Sequence, residues 1–388
     1  MGILRFILAS AVVCSHSGQL PGLGLLPTDE AVQAFFVISG FYMTLILDSK
    51  YERKGNARWL FYSNRVLRIF PMYYATLLLC LVIYGAAAAW TGRPVDRLAY
   101  WVQAAQLGDW PQLALLMLAQ VLIIGVEFSS FFAFSAQHGF GPNVGLPGTV
   151  EGWRFCFLPQ AWTIGIELVF YALAPWLIHL RKRVLLILLA ANLAALILVT
   201  QFWNTPLTTI LISHFFPFNL GYFLVGILAY RLFYKRPVPG LGSSGFNWLV
   251  VGLIAVACGT QGLIPPGAAY DWAQAGFIGL LFLGVSFLFQ RTKNSAADRL
   301  IGELAYPMYL CHLPMKWGVL AVLGHSNRED HDVPGIVLLP LTVALSVLIV
   351  RWIDYPVDRY RQQRASGAKT AAFPHGDTAR GGERRKLN

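Results

Sequence analysis

Two ionisable residues stand in the first apolar run of the chain, Arg5 and His16, 11 positions apart. On an α-helix that spacing returns to within about 20° of one meridian after a rise of roughly 16 Å. Arg5 then sits at the inner edge of a membrane helix, with His16 near mid-bilayer on the same stripe. An imidazole takes and returns protons near neutral pH. A guanidinium binds phosphate through a bidentate fork. Structural duties compete with this chemistry: His16 as an interhelical hydrogen bond, Arg5 as a topology charge.

Other polar groups fall at matching depth. Ser39, in Phe35-Phe36-Val37-Ile38-Ser39-Gly40-Phe41 of the second run, lies roughly 12 Å in from the outer end. Ser39-Gly40 also suits close packing of small residues. Glu167 lies about 9 Å below the outer start of the fourth run. A carboxylate there needs a partner, either an imidazole or a structural counter-ion. His312, in Tyr309-Leu310-Cys311-His312, reaches the middle of the ninth run. His214, near the start of the sixth, reads as packing. At the inner face Arg65 and Arg68 share a helix side. With Arg5 they form a cationic mouth, for which lipid head groups are the competing partner. The set amounts to an anion site, a buried base about 16 Å above it and a carboxylate able to orient that base. A donor with a phosphorylated head and a thin arm ending in a reactive group fits, as in a coenzyme A thioester. An acceptor hydroxyl would approach from the other side. Spacing alone does not name the donor.

The elements that must hold these residues are membrane helices. Of 388 residues, 56% are hydrophobic and 13% charged, and the mean hydropathy is +0.55. Soluble domains carry about 25% charge, so a soluble fold, a disordered chain and a disulfide scaffold are all excluded. A bilayer needs roughly 17–25 apolar residues per crossing. Ten runs qualify: 6–24, 31–47, 69–90, 161–180, 184–201, 210–230, 247–264, 272–290, 301–323 and 335–353. An eleventh candidate is 111–128. Basic clusters follow the second, fourth, sixth, eighth and tenth runs. Ten crossings with both termini cytoplasmic put all of them inside, whereas counting 111–128 puts Arg181–Arg183 outside. The first run has one arginine before its core and no convincing cleavage site, so it reads as a retained helix.

The expectation is an all-α integral membrane protein of about ten transmembrane helices. Its transmembrane domain covers 1–358, and 359–388 form a basic, disordered cytoplasmic tail. Segment 91–160 becomes an outer segment, and the Gly/Pro cluster from Gly139 to Gly148 reads as loop. The net charge of +11 resides largely in the tail and in residues 48–68. These are topology charges, and no base-reading module accompanies them, which argues against nucleic-acid binding. The five cysteines lack metal-ligand spacing, so no metal is expected.

Five short motifs in register resemble those of the acyltransferase 3 family, membrane-bound sugar O-acyltransferases. The family's arginine–histidine spacing is matched by Arg5 and His16. Its Phe-Phe-x-x-Ser-Gly-Phe is matched by Phe35 to Phe41, and its Arg-x-x-Arg before proline by Arg65, Arg68 and Pro71. Its Trp-Ser/Thr-x-x-x-Glu followed by Phe-Tyr is matched by Trp162, Thr163, Glu167, Phe170 and Tyr171. Its late Tyr-Pro-x-Tyr-Leu-x-His is matched by Tyr306, Pro307, Tyr309, Leu310 and His312. Ala305 replaces the usual small polar residue before Tyr306, and Asp354 precedes Tyr355-Pro356.

The resemblance implies a stand-alone, multi-pass enzyme of the bacterial cytoplasmic (inner) membrane. It would use acyl-CoA, most simply acetyl-CoA, as donor substrate, with no permanently bound cofactor. The acceptor would be a carbohydrate or glycolipid: lipopolysaccharide, exopolysaccharide or a lipo-oligosaccharide. His16 and Glu167 are then catalytic. Arg5, Arg65 and Arg68 bind the donor, and Ser39, Trp162, Tyr309 and His312 line the channel. His16 would act as general base on the acceptor hydroxyl or carry the acyl group covalently. Rival readings are a transporter of lipid-linked sugar or a small hydrophobic solute, and a non-catalytic scaffold. Transporters often repeat their halves, and no such symmetry is apparent here.

Overall fold

The apolar runs fold as helices, as they must where lipid leaves backbone N–H and C=O groups no other partner. The computed structural model describes residues 1–50, 57–95, 97–203, 205–235, 244–324 and 333–370. In chain order come α1 (Gly2–Ser15), α2 (Thr28–Lys50), α3 (Ala57–Thr91), α4 (Arg97–Gln106) and α5 (Trp110–Leu122). Strands β1 (Phe132–Ser135), β2 (Gly139–Pro142) and β3 (Val150–Glu151) follow. Then come α6 (Trp162–Leu177), α7 (Lys182–Phe202), α8 (Pro206–His214), α9 (Phe216–Ala229) and α10 (Ser244–Thr260). The chain continues with α11 (Ala268–Thr292), α12 (Ala296–Glu303), α13 (Ala305–Val322), α14 (Gly335–Ile349) and α15 (Tyr355–Thr370).

Among the described residues, seven helical stretches are long and apolar enough to cross a bilayer: Thr28–Ser49, Arg58–Thr91, Lys182–Phe202, Leu207–Tyr234, Gly245–Leu263, Ala268–Thr292 and Gly335–Gln363. Seven of the ten expected runs fall on them. The other three belong to α1, α6 and α13, with 14, 16 and 18 residues. At 1.5 Å per residue α1 and α6 reach only about 21–24 Å, short of a hydrocarbon core near 30 Å. Helix α13 has the length but is made less apolar by His312, Pro314 and Lys316. They are also the helices that carry His16, Glu167 and His312. Polar residues interrupt their apolar runs, and other helices shield them from lipid.

The first run breaks earlier than its hydropathy suggests. Helix α1 stops at Ser15, with His16 as its C-cap, and Ser17-Gly18 then Pro21-Gly22 carry the chain away. Its other end rests on Asp298 of α12, whose carboxylate accepts from the backbone N–H of Gly2 at 2.7 Å and of Ile3 at 3.0 Å. These are orphan donors of a helix N-terminus. Burial alone would raise the Asp298 carboxyl, but the Met1 amino group and these two N–H groups hold it down at about 2. We expect Asp298→Ala to cost about 0.5–2 kcal/mol, as loss of a cap does. The contribution is present above the ordinary carboxylate range and fades as pH falls from about 4 toward 2. Thermal midpoints of the two proteins across pH check both statements.

Segment 91–160 is more ordered than a loop. β1 pairs antiparallel with β2 and with β3, in the order β2-β1-β3. Phe134 and Phe140 meet with ring centroids 5.3 Å apart, and both pack on Phe155 at 5.4 and 4.8 Å. The glycine-rich stretch expected to be loop therefore includes strand β2. The candidate crossing 111–128 is a 13-residue helix, α5, ending at Ile123 with φ +66°. The tail beginning at 359 starts out helical in α15, and 371–388 lie outside the described residues.

The centre of the bundle is α2, 67% of whose apolar window is buried, against 6% for α7 at the periphery. Its tightest neighbour is α9. A Cβ on Gly226 would come within 2.0 Å of the Val37 carbonyl oxygen, and one on Gly40 within 2.2 Å of the Phe223 carbonyl oxygen. Glycines thus let two backbones touch, and they set the depth of Ser39.

Candidate functional site

Helices α1, α2, α3, α6 and α13 enclose a cavity of about 300 Å³. Its lining brings together Arg5, Ser39, Arg65, Arg68, Glu167 and Tyr309, six residues drawn from five helices. Phe35, Tyr171 and Tyr306 add aromatic walls. A second cavity of about 490 Å³ opens at the face formed by α12 and α15. Arg5, Tyr42 and Arg68 line both. Two guanidiniums and a phenol are thus common to both spaces and form the boundary, or neck, between them.

The neck is cationic. Arg68 comes from the early turns of α3, a 35-residue helix whose N-terminal end extends beyond its apolar stretch. Its Nη1 donates to both oxygens of Asp354, at 2.9 and 2.8 Å. Asp354 is buried and ends a π-helical turn, Val350–Asp354, between α14 and α15. Arg361, a residue the sequence reading passed over, lies within electrostatic reach of Arg65 and Arg68. Among the described residues, the buried Nε atoms of Arg65 and Arg361 have no hydrogen-bond partner. Clustered cations with spare donors suit a polyanion.

Deeper in, Glu167 accepts from Ser39 Oγ at 2.7 Å and from the Tyr171 hydroxyl, one turn along α6. Tyr171 stood in a recognised motif, but its hydroxyl could be placed on Glu167 only by the fold. Arg5 lies within electrostatic reach of Glu167 as well as of Arg68. The cavity ends at Tyr309, whose hydroxyl is 2.7 Å from Thr163 Oγ1 and 3.0 Å from the Gln160 carbonyl oxygen.

His16 is not among the residues lining this cavity. It lies beyond Tyr309: the Tyr309 and His312 rings are 6.0 Å apart, and those of His312 and His16 are 5.1 Å apart. Lys316, one turn past His312, donates to the His16 carbonyl oxygen at 3.0 Å and ties the end of α1 to α13. A lysine inside an apolar run was the signal for this residue, and the sequence reading did not use it. The Trp162 and His214 rings lie 4.3 Å apart, tilted by 33°, and Trp162 lines a smaller, separate cavity with Asp29, Gln33 and Tyr222. It stands apart from the central cavity.

The arrangement can hold an anionic head at the neck, a thin arm between Arg68 and Tyr309, and a proton acceptor past that tyrosine. Residues 1–353 match the family model described as an acyltransferase domain. No curated protein and no solved structure matches the chain. With five motifs on one set of helices and nearly its whole length matched, the chain is a membrane acyltransferase belonging to the acyltransferase 3 family.

Proposed function

We propose that this protein transfers an acyl group, acetyl in the simplest case, from acyl-CoA to a hydroxyl of a carbohydrate or glycolipid acceptor. Ten crossings with cytoplasmic termini, in a bacterial inner membrane, put the α12–α15 face in the cytoplasm, where the donor is made. The observation that carries the reading is the pair of cavities that share Arg5, Tyr42 and Arg68 in their walls. It gives a phosphorylated donor a cationic entrance and its arm a polar, aromatic passage.

In this mechanism Arg5, Arg65 and Arg68 hold the CoA phosphates. The Tyr309 side chain swings clear of Thr163, and the thioester reaches the imidazole. His16 takes the proton from the acceptor hydroxyl as its oxygen attacks the thioester carbonyl. The tetrahedral intermediate then expels the CoA thiolate, which recovers a proton from the imidazolium. Glu167, which accepts from Ser39 and Tyr171 rather than from an imidazole, orients those two hydroxyls in the passage. Ser39 and Tyr309 line the passage, and their hydroxyls are the donors assigned to the developing oxyanion. Trapping an acyl-histidine in the absence of acceptor would instead establish covalent transfer through His16.

Purified protein in detergent should release CoA from acetyl-CoA in an acceptor-dependent manner, read with a thiol reagent. Movement of a solute across vesicles without CoA release would favour the transporter. Glycan mass spectrometry of cells with and without the protein, seeking an acyl mass shift, identifies the acceptor.

The donor site has its own test. Arg68→Ala alone leaves the buried Asp354 carboxylate unpaired, which is destabilising in itself. The double variant Arg68→Ala/Asp354→Ala removes both charges. Loss of one charge-assisted hydrogen bond is worth about 1.5–3 kcal/mol. We therefore expect the donor KM to rise roughly 10- to 100-fold with a smaller change in kcat. An unchanged donor KM would return Arg68 to a structural role.

A further inference from the structure

His312 is fully buried on α13. Its Nδ1 lies 2.7 Å from the backbone carbonyl oxygen of Tyr309. A carbonyl oxygen only accepts, so Nδ1 carries the proton and the neutral ring presents a bare lone pair at Nε2. That atom is buried and has no hydrogen-bond partner among the described residues. Burying an acceptor without a donor is unfavourable, and an apolar side chain in its place would avoid the loss. Orphaned buried groups of this kind call for a ligand or a functional reason. Here the reason lies alongside, in the His16 ring 5.1 Å away and tilted by 31°. Lys316 holds the His16 backbone against the same helix, so the two imidazoles keep their separation.

We infer that His312 Nε2 is a binding contact for the acyl acceptor, taking a hydrogen bond from one of its hydroxyls. The inference rests on the acyl-transfer reading above. A hydroxyl has one proton, and the hydroxyl being acylated gives its proton to His16. The one that donates to His312 is therefore a second hydroxyl, close to the first. The acceptor class is a vicinal diol, with one oxygen at each imidazole. His312 neither gains nor loses a proton in the reaction; it selects and holds.

Two probe acceptors that differ by one group test this, 1,2-octanediol and 1-octanol, with acetyl-CoA and purified full-length protein. Wild type should favour the diol by about tenfold in kcat/KM. His312→Phe fills the space without an acceptor atom and should abolish that preference, the diol losing about tenfold more in kcat/KM than the mono-alcohol. His312→Gln offers a carbonyl oxygen near the place of Nε2 but cannot act as a base; it should keep most of the preference. Equal losses on both alcohols in the Phe variant would mean that His312 serves His16 or the packing, and would overturn the assignment. So would a diol preference that survives in His312→Phe, loss of the preference in a folded His312→Gln protein, or a wild type that consumes acetyl-CoA yet takes neither probe. A wild type that releases no CoA under any condition fails the acyl-transfer reading itself, and this inference falls with it.

Discussion

Purified His16→Ala protein should transfer acyl groups about 10²- to 10⁴-fold more slowly than wild type, the span associated with loss of a general base. Its thermal midpoint should stay close to that of wild type, for reasons visible in the fold. His16 is the C-cap of α1, where the chain is leaving the helix in any case. The tie from Lys316 goes to its backbone carbonyl oxygen, which alanine retains. The side chain is only half-buried, so truncation opens no sealed core cavity. Donor binding, set by arginines on the far side of Tyr309, should survive. The measurement is a pair of assays on one preparation, CoA release with acceptor and donor KM from residual turnover. Transfer at near-wild-type rate would remove His16 from the chemistry and leave its neighbour His312 as the imidazole to test.

The second large effect is on stability. Gly226→Val should lower the thermal midpoint by at least about 4 °C, or prevent recovery of folded protein. A Cβ there meets the Val37 carbonyl oxygen at 2.0 Å and the Phe41 backbone nitrogen at 2.7 Å. Both are backbone atoms of α2 and cannot rotate away. Overpacking against movable side chains costs about 1–3 kcal/mol. A clash between backbones exceeds that, and about 3 kcal/mol corresponds to roughly that fall in midpoint for a chain of this class. Gly85→Ala is the matched control. It too lies within a long apolar helix, but its Cβ would meet nothing within 4 Å, so its midpoint should stay level or rise slightly. Equal behaviour of the two variants would refute the view that α2 and α9 are held backbone to backbone.

These two glycines mark the limit of what could be read without coordinates. Both sit in apolar runs, and nothing in their flanking residues distinguishes a crossing point from a lipid-facing surface. The same holds for the carboxylates. Glu167 was recognisable as a charge in a membrane segment that needed company, and the company proved to be Ser39, 128 positions away, together with Tyr171. Asp354 was noticed only as the residue before a tyrosine and a proline. The fold puts it on Arg68, 286 positions away, at the neck between the cavities.

Sequence by itself determined that the chain enters a membrane, that seven of its runs are long and apolar enough to cross it, and what spacing an unbroken helix would give Arg5 and His16. Those properties are local: a bilayer sets a minimum apolar length, and a helix sets a fixed turn per residue. The order of five short motifs likewise identified the family. Tertiary structure alone decided that His16 ends its helix beyond Tyr309, that its neighbouring ring is His312, and that 132–151 include a three-stranded sheet. Helix rotation, depth and mutual approach depend on which surfaces interlock, down to single missing Cβ atoms. Hydropathy averages over those surfaces, and polar groups out of water pair with whatever that interlocking brings within about 3 Å.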